Sequence, residues 1–509
     1  MSLKRNILAN YVSQIYVTLI GIIIVPLYIK YMGAEAYGLV GFFAMLQAWF
    51  NLLDMGLTPT MARETARFNG GAVDALQYRR FVRALEGVFV LVAFVGGGAL
   101  LLLSKGIAHD WLKANKLDAS EIELSVNIMA IIVAMRWMGG LYRGAINGSE
   151  KLEWLSGFNS TIASLRFIGV VLVLKFIDSS PSAFFVFQLV VAGIELIGLM
   201  IKAYQLLPAV PAGQNLQWSW ESLRPVLKFA LTIAFTSSAW VLVTQTDKLV
   251  LSKILPLADY GYFTLAVLVA GGITIVSGPV SSALMPRMAN LEAQRKYDEL
   301  ILLYRQATQF VAVIAGATAT TVAFGAEALL QAWTGNVVLA KHAAPILSLY
   351  AWGNGILTVS AFPYYLQYAK GDLRFHLIGN AIFVVLLVPA IVWASSHYRA
   401  IGAGYVWLVI NLISFVAWLP LVHRKFAPGI NKKWYMQDIL FIVLPMISMG
   451  LAFKIFNWHS ENRWTQLVEL LVFGVLTLGV GGLSSSVMRS KIDLIGCRLF
   501  GRNNERRLK

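Results

Sequence analysis

Apolar runs of about twenty residues recur along the whole chain, separated by short polar stretches. As a helix, each run is long enough to cross a hydrocarbon core of roughly 30 Å. In lipid the backbone must satisfy its own hydrogen bonds, which leaves helices or a closed barrel. The runs greatly exceed the roughly ten-residue alternating strands of a barrel. The pattern therefore predicts an all-α integral membrane protein of about fourteen transmembrane helices. The expected spans are 8–30, 36–60, 82–104, 122–146, 156–177, 182–206, 226–252, 258–285, 306–334, 342–369, 375–395, 400–422, 438–456 and 465–487. The connections are short, and none could hold a folded extramembrane domain.

The pattern also repeats. Ala34-Glu35-Ala36-Tyr37-Gly38 separates the first two spans, and Ala258-Asp259-Tyr260-Gly261 separates the seventh and eighth. In each case the following span ends near a proline and an arginine: Pro59 and Arg63, then Pro286 and Arg287. A parallel duplication, its axis along the membrane normal, accounts for this. It predicts two six-helix lobes, residues 1–206 and 226–423, around a central cavity. A cytoplasmic linker (207–225), two extra C-terminal spans (424–487) and a basic tail (488–509) complete the organisation.

Polar residues fall on single helical faces within these spans. Residues three, four and seven apart share a face. Span one carries Asn10 and Gln14, span two Gln47, Asn51 and Asp54, span four Arg136, Arg143 and Asn147, and span five Asn159 and Arg166. Span ten adds Tyr350, Asn354 and Tyr365. Hydrogen bonding between helices explains many such positions. Charges near mid-bilayer, where an arginine costs from roughly 2.5 to over 10 kcal/mol, demand more. Arg136 and Arg166 imply either an aqueous cavity or buried partners such as Glu195. A cavity lined by guanidinium and amide groups suits an anionic, hydroxyl-rich substrate, and tyrosines suit sugar rings. Asp54, Glu195 and Asp247 are the candidate ion-coupling carboxylates. Asp54 can equally cap a local turn, and Asp247 can pair with Lys248.

Composition agrees with a membrane solvent. The 509 residues are 58% hydrophobic and 13% charged, with mean hydropathy +0.67. Soluble domains carry about 25% charged residues. The net charge of +16 is not the mark of nucleic-acid binding, because no basic domain stands outside the spans. Lysines and arginines instead segregate by loop, roughly three to one, if both termini are cytoplasmic. An even number of spans preserves that asymmetry. Cys497 is the single cysteine and the six histidines are scattered, so no metal motif arises. The sequence contains no phosphate-binding P-loop, no nucleophile elbow and no paired carboxylates on an extramembrane face. The expectation is a transporter with no cofactor, not an enzyme, driven by an ion gradient or by its substrate's own gradient.

Several segments together resemble the bacterial polysaccharide transporter family, whose members include Wzx-type flippases. They are Pro26-Leu27, Gly33 to Gly38, Leu53-Asp54-Met55-Gly56-Leu57, Arg63-Glu64, Tyr142-Arg143-Gly144, Asp247 to Leu251, Tyr260-Gly261 and Leu284-Met285-Pro286. The resemblance implies the multidrug/oligosaccharidyl-lipid/polysaccharide exporter fold. It implies movement of an undecaprenyl-diphosphate-linked oligosaccharide (an O-antigen, capsule or exopolysaccharide repeat unit) across the bacterial cytoplasmic membrane by alternating access. On that basis Arg136, Arg143 and Arg166 would hold the diphosphate or acidic sugars, while amides and tyrosines meet the glycan. Membrane lipid and polysaccharide polymerase machinery are the expected partners, with the chain acting as a monomer. Export of a peptidoglycan lipid precursor or of drugs is the alternative, and a membrane-embedded glycan polymerase a more distant one.

Overall fold

A computed structural model describes residues 3–209, 224–275, 277–456 and 462–489. Most of the expected linker, the tail with Cys497, and His459 lie outside the described residues. Of the described residues 90% are helical, and none forms a strand. The fourteen expected spans fall largely on helical residues, and some cross breaks, as at Met55 and Gly56 within 36–60. By length and hydropathy, however, ten helices among the described residues qualify as membrane-crossing, which does not reach fourteen. One of the ten, Arg374–Phe426, has 53 residues. Such a rod would be about 80 Å long at 1.5 Å per residue, far beyond one bilayer core. It contains a break at Arg399, where φ is 53°, and each side of the break is long enough for a crossing of its own.

The chain forms two compact units, residues 1–261 and 262–509. In the first, α1 (Leu3–Ile23) and α2 (Val25–Phe50) follow each other closely. Gly33, at φ 86°, breaks α2 near its start. A 3₁₀ turn (Asn51–Asp54) leads into α3 (Leu57–Asn69), then α4 (Ala75–Gly106), α5 (Ala119–Gly148), α6 (Leu152–Ser164), α7 (Val170–Phe176) and α8 (Pro181–Leu206). Helix α9 (Arg224–Ile254) packs on α2 and α3.

The centre of this unit is α5, which packs on α3, α4 and α8. Its sequence explains why α3 can lie so close. Gly140, Gly144 and Gly148, four residues apart, make a strip without side chains. A Cβ at Gly140 would stand 2.9 Å from Thr58 Oγ1, and one at Gly144 2.7 Å from the Thr58 carbonyl. Small residues at this spacing let membrane helices approach backbone to backbone. Outward-facing residues such as Phe94, Leu102 and Ile177 remain largely exposed, as lipid-facing positions should.

The second unit continues α10 (Leu257–Ile275) with α11 (Ser277–Ala293), α12 (Tyr297–Phe324), α13 (Ala326–Thr334), α14 (Val337–Ser360), α15 (Phe362–Ala369) and α16 (Arg374–Ile413). Then come α17 (Leu419–Phe426), α18 (Asn431–Tyr435), α19 (Phe441–Ile455) and α20 (Arg463–Ser484). Its core runs along α12, with Tyr304, Val311 and Ala315 fully buried, and meets Trp434 and Met446 from the C-terminal helices. Several polar groups in that core are paired across helices. The Trp434 indole donates to Thr308 Oγ1 at 3.0 Å, and His423 lies between the Tyr304 hydroxyl (2.8 Å) and Asn431 Oδ1 (2.9 Å).

Candidate functional site

Four helical segments of the first unit each turn polar residues toward one point. Arg136 and Arg143 are seven apart on α5, and Gln188 and Glu195 are seven apart on α8. Two helical turns separate the members of each pair, so both lie on one face. Asn159 and Arg166 stand seven apart on the α6 segment, and Gln47 comes from α2.

The lower rung is ionic. Glu195, 3% exposed, is bonded to Arg143 and accepts from Arg166 Nη2 at 3.0 Å. Arg136 Nε is 3.9 Å from the same carboxylate. The upper rung is amide. Arg136 donates to Gln47 Oε1 at 2.7 Å and to Gln188 Oε1 at 3.0 Å. Arg143 also donates to Asn159 Oδ1 at 2.7 Å.

Arg166 sits in a π-turn, Leu165–Gly169. Such a turn carries an extra residue and frees a backbone carbonyl from its usual helical partner. Here the Arg166 carbonyl accepts from Gln188 Nε2 at 3.0 Å. The same amide side chain thus orients Arg136 and fixes the turn that presents Arg166.

Three guanidiniums face one carboxylate, so the cluster carries two uncompensated positive charges. The Nε atoms of Arg136 and Arg166 are buried and make no hydrogen bond. The side chains of Arg143 and Arg166 remain 32% and 25% exposed. An anion could reach them, and guanidinium forks bind phosphate and carboxylate through paired hydrogen bonds. The arrangement is suited to holding and releasing an anion.

The other expected site residues lie elsewhere. Asn10 and Gln14 are on the exposed side of α1, which packs on α6 through Ser13. Asn51 and Asn147 are exposed. Asp54 caps α3, accepting from Thr58 N at 3.1 Å and Thr58 Oγ1 at 2.6 Å. Asp247 is 2% exposed beside Lys248 Nζ at 3.4 Å. In the second unit, Asn354 donates to the Ala270 carbonyl at 2.8 Å and accepts from Trp407 Nε1 at 2.9 Å. Tyr350 stacks on Trp407, and Tyr365 packs edge-on against Phe362, both nearly fully buried. Gln188 is the cluster member missing from the sequence reading. Its signal was the seven-residue spacing to Glu195.

These features define a polytopic helical membrane protein with a buried, net-positive guanidinium cluster. Residues 3–292 match the model of the polysaccharide biosynthesis protein family, and the chain belongs to that family. A Shigella flexneri protein described as a candidate O-antigen transporter is 21% identical over 310 residues, 60% of this chain and 71% of its own. A Salmonella typhi protein of the same description is 18% identical over 292 residues, 57% and 66% of the two chains. The fold is that of solved transporters. The lipid II flippase MurJ in an inward closed conformation superposes with TM-score 0.71 at 15% identity, over 96% of this chain and all of that one. An inward-facing multidrug resistance MATE transporter of the MOP superfamily gives 0.63 at 13% identity, over 81% and 96%.

Proposed function

We propose that this protein is a flippase that carries a polyprenyl-diphosphate-linked oligosaccharide from the inner to the outer leaflet of the bacterial cytoplasmic membrane. The observation that carries the reading is the cluster of Arg136, Arg143 and Arg166 around Glu195, positive by two charges, inside a membrane protein of the polysaccharide biosynthesis family. A lipid-linked diphosphate carries about two negative charges and oxygens that suit guanidinium forks. Its glycan is polar and its chain apolar, so a carrier must shelter the head and leave the tail in lipid. Both termini face the cytoplasm in this reading, in keeping with the loop charges. The cycle is alternating access, with a cation exchanged at Glu195, Asp54 or Asp247.

Complementation of a strain lacking its own flippase, with surface glycan as the readout, tests the proposal. Arg136→Ala and Arg166→Ala should each lower export by about tenfold or more, the worth of a charge-assisted hydrogen bond, at unchanged membrane abundance. Arg166→Lys should recover only part, because a point charge lacks the planar fork. Wild-type export by both alanine variants would remove the cluster from the mechanism.

A further inference from the structure

The second unit holds a cavity of about 510 Å³ to which the proposed function assigns no role. This is within the range of pockets that enclose small ligands. The cavity lies at one end of the bundle. Glu292 comes from the last turn of α11, Tyr297 and Asp298 from the first turn of α12, and Lys370 directly follows α15. The turn 427–430 after α17 and Lys433 of α18 close it. Helices that cross a bilayer end at the level of the headgroups, so the cavity opens there.

Its lining carries both signs of charge. Arg305 is already answered by Asp438, at 2.7 and 2.9 Å. Lys370 and Lys433 remain on one side, with Glu292 and Asp298 on the other, and none of the four is in an ion pair among the described residues. The Lys370 ammonium stands 5.8 Å from the Tyr297 ring centroid. Glu292 Oε2 is buried and accepts no hydrogen bond. A buried carboxylate oxygen without a donor is costly, so the cavity lacks a cationic or donor group at that point.

We propose that this cavity binds the headgroup of a zwitterionic phospholipid. The lipid ammonium donates to Glu292 with Asp298 alongside, and the phosphate pairs with Lys370 and Lys433. Leu300, Ile301 and Phe426 give the first carbons of the acyl chains an apolar wall. A purely anionic headgroup would satisfy the lysines but face two carboxylates and leave Glu292 unpaired. The charge pattern therefore selects a headgroup with both signs.

The test uses the delipidated full-length chain in detergent, titrated with phosphatidylethanolamine or phosphatidylglycerol and read by native mass spectrometry. Phosphatidylethanolamine should bind about tenfold more tightly, in line with one charge-assisted hydrogen bond. Glu292→Gln should erase that preference. Lys433→Ala, at an exposed position where substitutions usually change stability little, should weaken both lipids. Equal binding of the two lipids by the wild-type chain and both variants would overturn the proposal. Soluble phosphoethanolamine binding as tightly as the lipid would overturn the membrane source. The readout is bound lipid, so it stands apart from whether the chain exports a glycan.

Discussion

Glu195 holds one negative charge among three guanidiniums, so removing it differs in kind from removing any one arginine. Glu195→Ala leaves three cations together in a helix bundle with no anion between them. Breaking a buried ion pair from one side costs about 3–5 kcal/mol, and the thermal unfolding temperature of the purified protein should fall accordingly. Arg143→Ala should cost less, because Glu195 keeps Arg166 and Arg136. The double variant should recover part of the loss, since the two changes share one interaction. A larger cost for Arg143→Ala would show that Glu195 is not the hub. Asn354 belongs to another kind of residue. Its amide is spent on Ala270 and Trp407, so Asn354→Ala should destabilise by about 1–3 kcal/mol through unpaired buried groups. Export per folded molecule should stay near wild type. In the sequence, a polar residue on an apolar helix shows that a partner exists but not which one. Arg136 and Arg166 were legible because mid-bilayer charge is so costly, and Arg143 because it lies seven residues from Arg136 on the same helical face. Asn354, Tyr350 and Tyr365 share the same helical spacing, yet the helices around them turn that face into protein.

At the level of elements, hydropathy locates the helices but not their breaks. The π-turn at Leu165–Gly169 is invisible in apolar periodicity, because its extra residue is stabilised by Gln188 from another helix. Deleting Ile168, an exposed residue within the turn, would restore regular helix and pair the Arg166 carbonyl internally. Gln188 would lose its acceptor, and export should drop about as far as in Arg166→Ala while the protein still reaches the membrane, as immunoblotting of membrane fractions would show. A second device sits where Gly33 breaks α2. The Glu35 carboxylate accepts the backbone N–H groups of Asn115, Lys116 and Leu117 at 3.1, 2.9 and 3.1 Å. The same loop meets the α9–α10 turn, where Leu257 N donates to the Lys113 carbonyl at 2.8 Å. Close backbone approach is built in, since a Cβ on Gly261 would stand 2.8 Å from the Ala34 carbonyl. Glu35→Ala strands three donors and should speed hydrogen exchange across 113–117 by tenfold or more, about the worth of one hydrogen bond to a charged group. Unchanged protection would mean the loop is held without the carboxylate. The repeated Ala-Glu-Ala-Tyr-Gly and Ala-Asp-Tyr-Gly segments were legible as a pair. Their meeting at Gly38 and Gly261 was not, because contact between distant glycines leaves no local pattern.

Across the molecule, the last helices are tied into the second unit by charge as well as by apolar packing. Asp438, fully buried, accepts from Arg305 Nε and Nη2 and from Gln309 Nε2 at 2.7 Å. Gln309 Oε1 in turn accepts from Ser485 Oγ at 2.8 Å and from the Val487 backbone at 3.2 Å. One turn of α12 thus holds both the start of α19 and the end of α20. The sequence marks these helices only as two further apolar runs, and the pairing of Arg305 with Asp438, 133 residues apart, follows from the fold. If the pair were a loosely attached addition, Asp438→Ala would change stability by no more than about 0.5 kcal/mol, as surface substitutions do. The buried geometry predicts a loss of about 3–5 kcal/mol instead, because Arg305 and Gln309 keep their donors and lose the acceptor. Replacing both partners by apolar residues of similar size, Arg305→Met with Asp438→Leu, should restore most of that loss, since no unpaired charge remains. Thermal unfolding of the three proteins in one detergent separates the outcomes. A double variant as unstable as Asp438→Ala would mean that Gln309 and the serines, not the ion pair, carry the attachment.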